Sequence, residues 1–460
     1  MVIGRRWIQQ WDPNDEGFWR ERGRRIALRN LVFSIFAEFL GFSVWQLWST
    51  VSTQLGKAGF HFTILQLFWL VGVPGLLGAT MRFPYGFLVS VVGGRNWTMV
   101  SAAMLLVPTV LLGVLVQHPG TPYWAMCLAA ASAGFGGGNF ASSMANISYF
   151  YPDRHKGLAL GLNAAGGNIG VAVVQFVVPA AIGLGLLSLD AGRVEHPALP
   201  WAGFMWVPLI VLAVGCAYFL MDNLALARAS VREQLVILRR KHTWVMSWLY
   251  IGTFGSFIGY SAALPLVIKI SFPHVNPLEF AFLGPLVGSL ARPLGGWLSD
   301  RWGGATVTLA NFVVMLGATG GVVYFLSAGS FPGFLALFLV LFLAAGSGNG
   351  STFRMIPPIF RAERLRAVQG QGAEAEVRAD LDGRKEAAAA LGFTSAIAAY
   401  GQFLIPQGYT LSVAHTGGVG AALLCFAAFY VTCVAITWWF YVRTAVPRAT
   451  RTSVLAAERL

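Results

Sequence analysis

Residues 82–94 read RFPYGFLVSVVGG and residues 292–304 read RPLGGWLSDRWGG. Laid over one another at a constant offset of 210, they pair Arg82 with Arg292, Gly86 with Gly296, Leu88 with Leu298, Gly93 with Gly303 and Gly94 with Gly304. The same offset carries Gly136, Gly138 and Asn139 of GFGGGNF onto Gly346, Gly348 and Asn349 of GSGNGSTF. Two separate segments that share one offset mark a chain built from two duplicated halves.

Both halves are written for lipid. Of the 460 residues, 56% are hydrophobic and only 11% charged, which is far from a soluble balance and excludes a cytosolic enzyme. Apolar runs long enough to span a bilayer fall near 31–52, 64–90, 97–117, 123–150, 157–187 and 202–221, and again near 246–270, 277–300, 305–327, 332–357, 387–411 and 416–441. The expected fold is an all-α membrane protein of twelve transmembrane helices in two pseudo-symmetric six-helix bundles. Its parts are an N-terminal tail (1–30), a first bundle (31–221), a polar linker (222–245), a second bundle (246–442) and a C-terminal tail (443–460).

Charge sets the orientation. The Arg-rich N-terminus has no apolar core ahead of a cleavage site, so it reads as a cytoplasmic tail. With it inside, Arg228, Arg232, Arg239, Arg240 and Lys241 of the linker, the basic residues of 359–386 and the C-terminal tail fall on the same side. The other face carries only Lys57, Arg193 and Lys269, an asymmetry that places both termini in the cytoplasm of a cell inner (plasma) membrane protein. The net charge of +13 thus orients the chain and gives no reason to expect nucleic acid. Cys127, Cys216, Cys425 and Cys433 lie in apolar runs without metal-ligand spacing, so neither disulfides, nor a metal, nor a cofactor is expected.

Arg82 and Arg292 remain, both inside apolar spans. An arginine in hydrocarbon costs at least about 2.5–3.5 kcal/mol, so it faces a cavity or a partner. Repeat symmetry sets the pair opposite one another across a central cavity. Acidic partners are scarce, Glu38 being the mid-span carboxylate, so the cavity favours a small anion. A guanidinium suits a planar oxyanion, because its fork donates two parallel hydrogen bonds and stays ionised at physiological pH. Glu38 is also a candidate for proton coupling. No paired carboxylates, His pair or Ser/His/Asp grouping within the spans suggests an enzyme.

GxLxDRxGG at 296–304 resembles the loop signature of the major facilitator superfamily; at 86–94, Ser90 and Val91 replace Asp300 and Arg301. That resemblance implies alternating access by rocking of two bundles, with Asp300 and Arg301 in a gating loop. GGGNFASSMANISYFYP followed by KGLALGLNAAGGNIGV resembles the signature of the NarK-type nitrate/nitrite porters. GSGNGSTFRMIP, GFTSAIAAYGQFLIP and YIGTFGSFIGYSAALP resemble other segments of that family. The resemblance implies that Arg82 and Arg292 bind the anion and that Phe140 and Phe254 sandwich it, while Tyr250, Asn163, Asn168 and Ser395 supply polar contacts.

The expected function is nitrate/nitrite antiport by alternating access, acting as a monomer in the lipid bilayer. Proton-coupled nitrate symport through Glu38 is the alternative, and a non-transporting nitrate sensor a weaker one. Aligning Gly161 with Gly392 needs an offset of 231 instead of 210, so an insertion lies near 361–385. It reads as solvated and partly helical.

Overall fold

A computed structural model of the chain describes residues 7–184, 198–225 and 235–443. Arg193, Arg228, Arg232 and the tail beyond residue 443 lie outside the described residues. Among the described residues, twelve membrane helices follow one another. In the first bundle they are α1 (Arg24–Trp45, continued by Leu47–Gln54), α2 (Ile64–Val92), α3 (Gly94–Met104 and Leu106–Leu115), α4 (Tyr123–Ser132 and Gly134–Phe150), α5 (Asp153–Leu184) and α6 (Trp201–Phe204 and Val207–Leu220). In the second they are α7 (Lys241–Tyr250 through Ser256–Ser271), α8 (Leu283–Trp302), α9 (Gly304–Ser327), α10 (Phe331–Ala367), α11 (Ala373–Ala399 and Gly401–Thr416) and α12 (Gly420–Thr437). Ten of these are long and apolar enough to span a membrane by composition alone. The other two are α4, which is interrupted at Ala133, and α8, whose sequence carries Arg292, Asp300 and Arg301.

The repeat read in the sequence is also a repeat of backbone. Gly93 ends α2 at φ 93° and Gly303 ends α8 at φ 88°, and each turns the chain directly into the next helix. With ψ of 144° and 133°, both sit in a region that side-chain-bearing residues avoid, which is why glycine recurs there. Gly136 of α4 lies against the Gly41 carbonyl of α1, and its repeat mate Gly346 of α10 against the Gly288 carbonyl of α8. A Cβ at either would overlap that carbonyl, so small residues set the depth of both helix crossings.

Two regions are more ordered than the sequence by itself required. Residues 361–385, read as a solvated and partly helical insertion, continue α10 and α11 as a largely exposed helical hairpin. At 1.5 Å per residue, the 37 residues of α10 reach about 55 Å, well beyond a hydrocarbon core of about 30 Å. Ion pairs hold the hairpin: Arg361 and Arg384 share Asp380, while Arg364 and the linker's Arg240 share Glu386. The N-terminal segment, read as a tail, is folded from Trp7 onward. Its strand Trp7–Ile8 pairs in parallel with Asn223–Leu224 after α6. Trp11 Nε1 donates to the Tyr149 carbonyl, and Trp11, Trp19, Ala27, Phe150 and Leu224 form a small apolar core. Aromatic residues in this stretch supply enough buried surface to order a segment that charge alone would leave in solvent.

The bundles meet mainly where α2 packs on α11 and α5 on α8. The side carrying the N-terminal segment and the α10–α11 hairpin is the tail face; the opposite side is the far face. On the tail face Gly161, Gly296 and Gly392 each look onto open space, while Phe83 packs on Phe393 across the bundles and Arg354 lies beside Gly157. Toward the far face side-chain hydrogen bonds join the bundles, as between Gln175 of α5 and the Ser261 carbonyl of α7.

Candidate functional site

Arg82 and Arg292 lie at matching heights of α2 and α8, each followed within two residues by a proline in its helix, Pro84 and Pro293. Both are buried, at 2% and 5% exposure. Their guanidinium carbons stand 4.7 and 5.8 Å from the centroid of one ring, Phe140 of α4, so the sequence-expected pair converges. Arg82 also faces Phe254 at 5.0 Å and Trp45 at 5.3 Å, and Arg292 faces Phe353 at 5.6 Å. Aromatic faces stabilise a guanidinium without neutralising it.

The donors are only partly used. Arg82 Nε donates to the Gly137 carbonyl of its own bundle and Nη1 to the Ser395 carbonyl of the other, both at 2.9 Å. Its Nη2, together with Arg292 Nη1, is buried without a protein acceptor. Such orphaned donors cost free energy unless an acceptor reaches them. Two of them, on two cations beside one ring, make a site suited to a small anion with several acceptor oxygens.

Phe140 and Phe254 lie near-parallel, with centroids 6.2 Å apart and planes 22° from parallel. A flat ion held between their faces would need about 7 Å, twice the usual contact distance, so the rings must separate slightly to admit one. Phe254 sits in the π-helical turn Ile251–Gly255 of α7, the kind of irregularity common at functional sites. That turn stacks Tyr250 on Phe254 at 5.5 Å. The Tyr250 hydroxyl donates to Asn349 Oδ1 at 2.8 Å and also faces the Arg292 guanidinium. The Nδ2 of Asn349 is a further buried donor without an acceptor.

Other expected contacts fall elsewhere. The Asn163 amide donates to Glu38 Oε2 at 2.7 Å, and the Ser143 hydroxyl bonds the same oxygen. Ser34 of α1 continues the chain to Ser143 at 2.8 Å. Glu38 is fully buried, and its Oε1 has no partner. Asn168 is buried with both amide atoms unpartnered. Ser395 reaches Arg82 through its carbonyl, while its hydroxyl donates to the Gly392 carbonyl one helical turn back.

At the α8–α9 turn Asp300 accepts from Arg354 Nε of α10 at 2.8 Å, and Arg301 lies over Trp297 at 4.0 Å. In the first bundle, Ser90 at the position matching Asp300 donates to its own helix, at the Phe87 carbonyl. A surface hollow of about 540 Å³ near Asp300 and Arg354 lies on the tail face, apart from the arginines. Among the described residues, no group of three or more His, Cys, Asp or Glu is placed to hold a metal.

Trp45, Phe353, Asn349 and Ser143 were not in the expected set. Asn349 carried a signal, being the repeat mate of Asn139. Trp45 and Phe353 carried none, because an aromatic residue at a cavity wall and one in a core look alike in sequence.

The Major Facilitator Superfamily model matches residues 25–370. The nitrate/nitrite transporter NarU of Escherichia coli (strain K12) is 44% identical over 447 residues, covering 95% of this chain and 96% of that protein. The probable nitrate/nitrite antiporter NarK2 of Thermus thermophilus is 38% identical over 454 residues, covering 95% and 97%. Among solved structures, the xylose transporter XylE of E. coli, partially occluded and inward open, aligns with a TM-score of 0.63 at 13% identity. It covers 91% of this chain and 98% of its own, a likeness of fold. The chain belongs to the major facilitator superfamily and, within it, to the NarK-type nitrate/nitrite porters.

Proposed function

We propose that this chain carries nitrate and nitrite across the cell inner (plasma) membrane, exchanging one for the other by alternating access, with the anion held between Arg82 and Arg292. The observation that carries this reading is the convergence of both guanidiniums on Phe140, each with a buried N–H that lacks an acceptor. At a separation of about 10 Å and an effective dielectric of about 20, two such cations repel by about 2 kcal/mol. A monovalent anion between them relieves that repulsion, so closure is favoured when the site is loaded, and inward and outward passages become linked. Nitrate and nitrite share charge and planar oxygen geometry, so one site serves both. All these groups come from one chain, consistent with a working monomer. The basic residues of the tail face support a cytoplasmic location for it.

Nitrate uptake into proteoliposomes preloaded with nitrite, or with no anion, tests the reading. Uptake that depends on internal nitrite is expected. Uptake that needs no internal anion and follows an imposed proton gradient would replace exchange by symport.

One observation favours that second reading: Glu38 is buried beside Asn163 and Ser143, and Ser143 is hydrogen-bonded in turn to Ser34, one turn along α1 toward the tail face. Hydroxyls can hand on a proton, so Ser143 and Ser34 would be the first steps of a relay from Glu38. If gradient-driven uptake is found, Glu38→Gln should abolish it; its survival in that variant would exclude Glu38 as the carrier.

A further inference from the structure

On the far-face side of the arginines, four polar side chains cross between the bundles, and each donates to a main-chain carbonyl. Gln46 of α1 reaches the Ile258 carbonyl of α7 at 3.2 Å, and Gln175 of α5 reaches the Ser261 carbonyl at 2.6 Å. Gln402 of α11 reaches the Trp45 carbonyl of α1 at 3.3 Å, and Lys269 Nζ of α7 the Thr53 carbonyl near the end of α1. Helix irregularity supplies three of these acceptors. Pro265 has no N–H to give the carbonyl four residues earlier, which is Ser261. The break of α1 at Gln46 turns Ser49 N to the Gln46 carbonyl, leaving that of Trp45 to Gln402. Thr53 sits in the last turn of α1, where carbonyls are unpaired and a cation is favoured.

We infer that Gln46, Gln175, Gln402 and Lys269 form the far-face gate of the transport path, and that buried main-chain carbonyls of the opposite bundle are its catch. Each bond is worth little alone, so the gate is directional yet separable, as a seal broken in every cycle must be. The four donors are drawn from both bundles and cap carbonyls of the other, so rocking the bundles apart at the far face breaks all four together.

This inference rests on the exchange reading, and its sign follows from linkage. Removing one bond should raise the far-face-open population about fivefold. When that state is the minor one, the apparent KM for nitrate added from the far face falls by the same factor, while the tail-face KM changes by less than about twofold. Counterflow measured from each face on Gln175→Leu and Gln402→Leu should show that split. Lys269→Met should do the same, and Lys269→Arg should restore the starting value. A far-face KM that is unchanged or raised in these variants overturns the gate. Should a glutamine variant fail to fold, the Lys269 pair, at the membrane edge, carries the test. Amide hydrogen exchange of 258–269 needs no substrate: faster exchange in folded Lys269→Met, with α10 unaffected, is expected. Equal exchange in the two proteins refutes the gate even if wild-type protein shows no nitrate/nitrite counterflow, an outcome that would instead refute the exchange reading.

Discussion

Arg82 and Arg292 are repeat mates that approach the same ring, Phe140, yet they are held differently. Arg82 is fixed by main-chain carbonyls of Gly137 and Ser395, one from each bundle. Arg292 faces aromatic rings and the Tyr250 hydroxyl. A duplicated sequence has therefore produced one arginine that also ties the bundles together and one held by aromatic faces and a hydroxyl.

Lysine at either position keeps the charge and loses the planar fork. Exchange should fall at least about 100-fold in Arg292→Lys, the loss of a charge-assisted bond of about 3 kcal/mol. Arg82→Lys should lose as much activity and in addition melt at lower temperature, because its ties to Gly137 and Ser395 go with it. Initial rates of counterflow and thermal melts in detergent separate the two effects.

Tyr250→Phe keeps the stack on Phe254 and removes the hydroxyl bonded to Asn349. A neutral hydrogen bond of about 1 kcal/mol predicts a KM for nitrate raised about fivefold, with the maximal rate within about twofold of wild type. A lowered maximal rate at unchanged KM would place the hydroxyl in the conformational step instead.

Gly93→Ala should destabilise the first bundle by about 1–3 kcal/mol, since φ 93° is forbidding to alanine. The new methyl would also press on the Asn223 side chain, whose Oδ1 accepts from Arg95 N at 2.9 Å. A lowered melting temperature with unaltered KM in the surviving protein is the expected result.

Glu386→Ala leaves Arg364 and Arg240 without their shared carboxylate at the base of the α10–α11 hairpin. Both arginines are partly exposed, so the cost should be about 1–2 kcal/mol, less than for a fully buried pair. Limited proteolysis should cut near 368–372 sooner, while nitrate/nitrite exchange per folded protein stays unchanged.

Hydropathy and a constant offset were enough, in the sequence, to determine two six-helix halves, the matching glycines Gly93 and Gly303, and the arginine pair. Those features are local, or repeat a local pattern, so composition and spacing record them. The extension of α10 and α11 through 361–385 was only half legible, because its charged residues suit either a solvated loop or a helix held by ion pairs. What satisfies each buried polar group was decided by the tertiary structure alone. Asn163 meets Glu38 instead of the arginines, Ser395 offers Arg82 its carbonyl, and Gln402 caps a carbonyl 357 residues away, on α1. In a membrane interior water is not at hand to satisfy a buried polar group, and nothing in the residues beside it records which distant partner the packing of helices brings near.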